Sequence, residues 1–207
     1  MSGRVRSYGG KTAGERAAER RARLVAVTVD VLAEHGEART TMTAICAAAG
    51  LTERYFYESF ASLDDALLAA LDNVCEEITR VVVEALSATS GPPDERVNAV
   101  MAALVDLVVR SPDRMRIAVI HSSANPRLRA RRHELIRDFA DLVAREAAEL
   151  YGDRAWPPER ARIHGLLYVA GFAELLAAWL SGDVDLSPDD LVETAGALFS
   201  AVSRRGD

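Results

Sequence analysis

The sequence predicts an all-α protein, and three observations carry that expectation. Apolar side chains return at three- and four-residue steps, as in Leu24, Val27 and Val31, or Leu67, Leu71, Val74 and Ile78. Alanine, at 36 of 207 residues, and leucine both favour helix. No segment alternates with the two-residue period of a half-buried strand, and the β-branched run Val81, Val82, Val83 sits inside a longer helical pattern.

Punctuation divides the chain into about nine helices. The first runs from near residue 14 to 35 and stops at Gly36. A short helix over 41–48 is closed by Gly50, which tolerates the left-handed conformation of a helix C-terminus. Thr52 caps a second short helix reaching about 59. Ser62 and Asp65 form a capping box that opens a long helix to about 87. Gly91-Pro92-Pro93 breaks the chain before a helix over 94–110. Ser111-Pro112 starts a helix ending near 123, and Asn125-Pro126 starts one that stops before Gly152. Trp156-Pro157-Pro158 opens an apolar helix to about 180, and Ser187-Pro188 opens the last, to about 202. The expected organisation is a basic tail over 1–13, a helix-turn-helix domain over 14–61 and a larger helical domain over 62–207.

Composition narrows the function. The net charge of −6 argues at first against a nucleic-acid partner. Its distribution is uneven: residues 1–23 hold seven basic against two acidic residues, +5, while residues 61–207 hold 16 against 24, −8, which fits either a tail that touches nucleic acid or one that only solubilises. Arg4, Arg6 and Lys11 in the tail are placed to reach a DNA groove next to the main site. Cys46 and Cys75 cannot staple a fold of this size and are expected as reduced thiols. No secretory h-region follows the N-terminal basic residues, so a cytoplasmic location is expected. The most apolar window, 165–180, is shorter than a bilayer span and carries Glu174, so a buried helix and no membrane partner are expected.

The informative stretch is 41–60. Its first helix ends in small residues, Ala47 to Ala49, and Gly50 turns the chain, as two closely crossing helices require. Ile45 and Leu51 would plug the crossing while Phe56 and Phe60 face the core. That leaves Thr52, Glu53, Arg54, Tyr55 and Tyr57 near the exposed N-terminal part of the second helix, which enters the major groove in such motifs. Arg54 can fork onto guanine O6 and N7. Tyr55 can touch a sugar or a thymine methyl, and Tyr57 can donate to a phosphate. Thr41 and Thr43 place hydroxyls and backbone N–H groups near a phosphate. Glu53 and Glu58 oppose phosphate, so one of them is expected to pair with Arg54 or to accept from a cytosine amine. On spacing alone a generic helical hairpin with two core aromatics fits as well.

With these residues the segment from Leu24 to about Leu71 resembles the DNA-binding domain of the TetR (tetracycline-repressor) family of bacterial regulators. The His35-Gly36 stop, Thr41 with Ile45, Ala49-Gly50-Leu51-Thr52, and Phe56-Tyr57 with Phe60 and Ser62 fall at that family's spacing. Three positions depart from it: Leu63 stands where lysine is frequent, Ala44 where an acid is frequent, and Glu58 where a base is frequent. The resemblance implies a ligand-responsive repressor, with a double-stranded operator as partner, a homodimer built on the last two helices and a small-molecule pocket among the middle ones.

The residues of the larger domain are compatible with that. Leu167, Leu175, Trp179, Leu191, Leu198 and Phe199 are candidates for a dimer interface. Met101, Val105, Met115, His121, Phe139, His164, Tyr168 and Phe172 are candidate pocket liners, although each is also an ordinary core residue. The cluster Arg127, Arg129, Arg131, Arg132 would attract an anionic effector or, the preferred reading, form a solvated helix face. No cofactor or metal is expected: the four histidines have no metal-ligand spacing. Neither a G-x-S-x-G elbow nor a phosphate loop occurs, so no enzyme is expected. An all-α enzyme or a helical adaptor without DNA specificity is the alternative.

Overall fold

The computed structural model describes residues 12–123 and 125–205. Arg4, Arg6 and Lys11 lie outside them. Nine α-helices follow one another among the described residues: α1 (Ala13–His35), α2 (Met42–Ala49), α3 (Glu53–Ser59), α4 (Leu63–Ala88), α5 (Pro93–Arg110), α6 (Pro112–Val119), α7 (Pro126–Tyr151), α8 (Pro158–Ser181) and α9 (Pro188–Ser203). Short 3-10 segments at Glu37–Arg39, His121–Ser123 and Gly152–Arg154 complete the turns. The sixth helix is therefore shorter than its sequence pattern indicates, because α6 gives way at Ile120 to a 3-10 turn.

Capping explains the starts. Thr12, Thr41, Ser62, Asn125 and Ser187 each accept a hydrogen bond from a backbone N–H of the first turn, a contribution of about 1 kcal/mol apiece. Proline occupies the first helical position of five helices, where its missing N–H costs nothing. Gly50 ends α2 at φ +61°, ψ +35°, a conformation that a side chain disfavours.

Two hydrophobic cores form. A small one gathers Leu24 and Val25 of α1, Ile45, Cys46 and Ala49 of α2, Phe56 and Phe60 at α3, and Ala66 of α4. A large one continues along the same two helices, one turn on at Val29 and Leu32 of α1 and from the next residue, Leu67, to Leu71 of α4, and extends through α5 to α9. Both α1 and α4 thus belong to both cores. At about 1.5–3 kcal/mol per fully buried leucine, neither helix detaches cheaply from either.

The apolar helix runs from Pro158 to Ser181, where the sequence pattern placed it, and is longer than its most apolar window. At 24 residues, with an 18-residue window of mean hydropathy 1.6, α8 is long and apolar enough to cross a membrane by length and composition. Its inner face packs on α7 and α9, with Ala161, Tyr168, Phe172 and Leu176 buried. The closest approach is at Gly165, where an added Cβ would stand 2.5 Å from the Ala140 carbonyl oxygen of α7.

That oxygen belongs to a helix backbone and cannot step aside. Gly165→Ala is therefore expected to lower stability by about 1–3 kcal/mol, despite the ~1 kcal/mol that alanine gains over glycine in a helix. Urea unfolding followed by circular dichroism checks the sign.

Candidate DNA-binding surface and internal channel

The α2–α3 pair is closed from inside by Ile45 and Phe56, both fully buried, and by Phe60, whose ring centroid lies 5.5 Å from that of Phe56. With that face fixed, α3 turns Glu53, Arg54, Tyr55 and Tyr57 outward. The Thr52 side chain makes no cap hydrogen bond, leaving its hydroxyl available. Thr43 is exposed. Thr41 differs from its expected role: its Oγ1 accepts the Ala44 N–H at 3.1 Å, so that donor is consumed within the helix.

The paired acid is Glu58, which receives Arg54 Nε at 3.0 Å. The Arg54 side chain is 85% exposed, so the pair is a surface contact of at most about 1 kcal/mol and yields readily to a base edge. Glu58 is also 3.7 Å from Arg20 of α1, whose guanidinium lies 4.6 Å from the centre of the Tyr55 ring. Arg21 sits over Phe60 at 4.9 Å, and Arg23 passes beside Gly50. Composition counts these three arginines with the basic tail. The structure gives them to α1, where the helical period brings them beside α3 and the turn.

The large core holds a partly open channel of about 170 Å³ among α4 to α9. Met101, Phe139, Tyr168 and Phe172 line it. Tyr168 donates its hydroxyl hydrogen toward Met101 Sδ or the Ala195 carbonyl, each at 3.2 Å, and burial pushes its pKa up. Four other candidates do not reach the channel. Val105 and Met115 are ordinary core. His121 is half-buried beside Gly36 at the joint between the sixth helix and α1, where burial and then Arg116 lower its pKa. His164 places Nδ1 2.6 Å from the Val202 carbonyl oxygen and its ring 4.8 Å from Trp156, tying α8 to α9. Periodicity marks such residues as inward-facing but does not say which void they face.

Two interface candidates belong to the subunit interior: Leu191 is fully buried, and Phe199 lines the channel. Leu175 and Trp179 are half-buried, the Trp179 indole N–H donating to the Leu186 carbonyl at 2.9 Å. Leu167 and Leu198 are exposed, and beside them Ile163 and Leu166, which sequence inspection passed over.

In the arginine cluster Arg129 is exposed, as on a solvated face, whereas the other three are ion-paired. Arg127 pairs with Asp65 at 2.7 Å and Arg131 with Asp72 at 2.7 Å, stitching α7 to α4. Arg127, with the Ser62 hydroxyl, holds the Asp65 carboxyl below its usual range. Arg132 turns the other way, to Glu174 of α8 at 2.5 Å, and it also lines the channel.

Comparison with known proteins agrees with this architecture. Residues 24–71 match the family model described as bacterial regulatory proteins, tetR family. The fatty acid degradation regulator FadR from Bacillus halodurans superposes with a TM-score of 0.71 at 17% identity, over 95% of this chain and 100% of that one. FadR from Bacillus subtilis, in complex with stearoyl-CoA, gives 0.68 at 17%, over 88% and 97%. A putative transcriptional regulator from Pseudomonas aeruginosa PAO1 gives 0.72 at 17%, over 96% and 94%. At these identities the structural neighbours speak for the fold, and the family model for the first domain. The first domain is thus a tetR-family DNA-binding domain over residues 24–71, and the chain as a whole has the fold of the transcriptional regulators it superposes on.

Two outcomes are expected. Arg54→Ala should weaken specific DNA binding by about 1–3 kcal/mol, read by fluorescence anisotropy, while leaving the unfolding midpoint almost unchanged. Burial, ahead of Asp72, pushes the Cys75 thiol up to about 12, so at pH 8 only about one molecule in ten thousand carries the reactive thiolate. Cys46 is likewise buried and raised. Both cysteines should therefore resist Ellman's reagent until denaturant is added, which a titration at 412 nm follows.

Proposed function

We propose that the protein is a homodimeric, effector-responsive repressor that binds a palindromic operator in the cytoplasm. Residues 14–61 act as the DNA-binding unit, and residues 62–207 as the effector-binding and dimerisation unit. The single observation that carries the dimer is the outer face of α8 and α9. There Ile163, Leu167 and Leu198 are 60%, 68% and 44% exposed, with Leu166 beside them. An apolar stripe of this kind on a long helix needs cover. A second copy supplies it isologously, presenting two recognition helices to half-sites about 34 Å apart.

Thr43, Thr52, Arg54, Tyr55 and Tyr57 would make the DNA contacts, with Glu53 tuning base preference and Thr41 supporting the α2 end. The effector would occupy the channel, whose wall includes Ala118 and Val119 of α6. That helix reaches the DNA-binding unit through Arg114, 3.4 Å from Asp30 of α1 and 3.3 Å from Glu77 of α4. An effector that binds better when α6 is displaced would shift the population toward subunits whose α1 and α3 are misplaced for successive grooves, and DNA would be released.

Leu167→Glu places a carboxylate in the centre of the stripe. Light scattering behind size exclusion should then give the chain mass of 22.4 kDa where the parent protein gives twice that. Operator affinity, on the site recovered by genomic pull-down with the parent protein, should fall at least a hundredfold. A parent protein that is monomeric at micromolar concentration contradicts the proposal.

A further inference from the structure

The channel offers a ligand hydrocarbon and little else. Of its 24 lining side chains, 20 are aliphatic, aromatic or Met101, and almost no polar surface reaches the void. The exceptions are Cys75, Arg132, Glu146 and Tyr168. Tyr168 spends its hydroxyl on Met101 Sδ or the Ala195 carbonyl. Arg132 gives Nη2 to Glu174, and its Nε is buried beyond the reach of any ligand. Cys75 is a buried thiol, and Glu146 has Arg96 and Arg145 close enough to offset its charge. Apolar cavities take up apolar guests without a polar anchor.

The acids of the wall gauge its polarity. Burial, ahead of any neighbouring charge, raises the Cys75 thiol to about 12 and also raises the Tyr168 hydroxyl and the Glu146 carboxyl. All three shifts favour the uncharged form, the mark of surroundings that solvate ions poorly. An ionised ligand group drawn into them loses its hydration with nothing in exchange.

The adjoining surface supplies no charge preference either. A groove between α4 and α7 shares Cys75, Leu135, Phe139 and Leu142 with the channel. Its other polar lining includes three acids, Asp72, Glu76 and Asp138, and three bases, Arg80, Arg131 and Arg145. Arg131 is paired with Asp72, and Arg80 with Glu84. A charged head left on this side therefore meets a balanced field.

We propose that the channel takes an uncharged ligand with a hydrocarbon body, held by buried apolar area with neither an ionic nor a hydrogen-bonded anchor. This rests on the effector role proposed above and names the chemical class that fills it. Affinity then follows the apolar area of the ligand, and any ionised group on it is a penalty.

The test uses the full-length protein and N-phenyl-1-naphthylamine, an uncharged dye whose emission rises in apolar surroundings. Butylbenzene, 4-butylbenzoate and 4-butylbenzylamine share one hydrocarbon body, differ in charge at pH 7, and compete for the dye. Butylbenzene is expected to bind at least tenfold more tightly than either ion. Ala118→Leu, which adds bulk to the channel wall from α6, should weaken both the dye and butylbenzene at least tenfold. Val169→Phe does the same from α8 where Ala118→Leu fails to fold, and if neither folds the ranking on the parent protein decides alone. Either ion binding as tightly as butylbenzene overturns the proposal, as does dye and butylbenzene binding that a folded filling variant leaves unchanged. Operator release, followed in parallel, separates the two levels. Butylbenzene that binds in the channel without altering DNA affinity upholds the ligand class and removes the effector role. Operator release by one of the ions, with no binding of butylbenzene, overturns the ligand class and leaves the effector role standing.

Discussion

Two helices shared between two cores hold this protein together and couple its parts. Leu24 and Val25 of α1 are buried against α2 and α3, and one turn later Val29 and Leu32 are buried in the body. Ala66 and Leu67 divide α4 in the same way. A helix is stiff over a few turns, and packed cores repack rather than deform smoothly. A change in the body that tilts α1 or α4 must therefore carry the helix-turn-helix with it. Helix α6 touches both shared helices through Arg114.

The outer face of α3 shows how charge is held in reserve. Arg54 and Arg20 both engage Glu58, and Arg20 also covers the Tyr55 ring. These contacts are exposed and individually weak, so the side chains exchange partners at little cost. The net charge of −6 is accordingly a poor guide to the binding surface. The acidic excess belongs to residues 61–207, and part of it is spent in pairing Arg127 and Arg131 across α4 and α7.

Much of this was legible in the chain. Capping residues and prolines marked the starts of the helices after the first to within a residue or two, because N-caps and proline at the first helical position act locally. The crossing of α2 and α3 was legible because small residues, a left-handed glycine and two aromatics four apart leave few other ways to pack. Inward-facing positions of the body were legible as a class but not by destination. Phe199 and Leu191 were apolar enough for an interface and proved interior, whereas Ile163 and Leu166 were passed over and are exposed. The two histidines assigned to the pocket instead tie neighbouring elements, His121 at the joint with α1 and His164 between α8 and α9.

What the sequence by itself determined is whatever local rules govern: an all-α chain, nine helices, a helix-turn-helix with its exposed residues, and a basic end set against an acidic body. What only the tertiary structure decided is which side chains meet across helices far apart in the chain. The Gly165 contact with Ala140, the turning of Arg132 to Glu174 and into the channel, and the split of α8 into a channel face and an open apolar face are of this kind. Periodicity gives the angle of a residue around its own helix. The identity of the neighbour on that side depends on the crossing angle and register of two helices, which the whole core fixes at once.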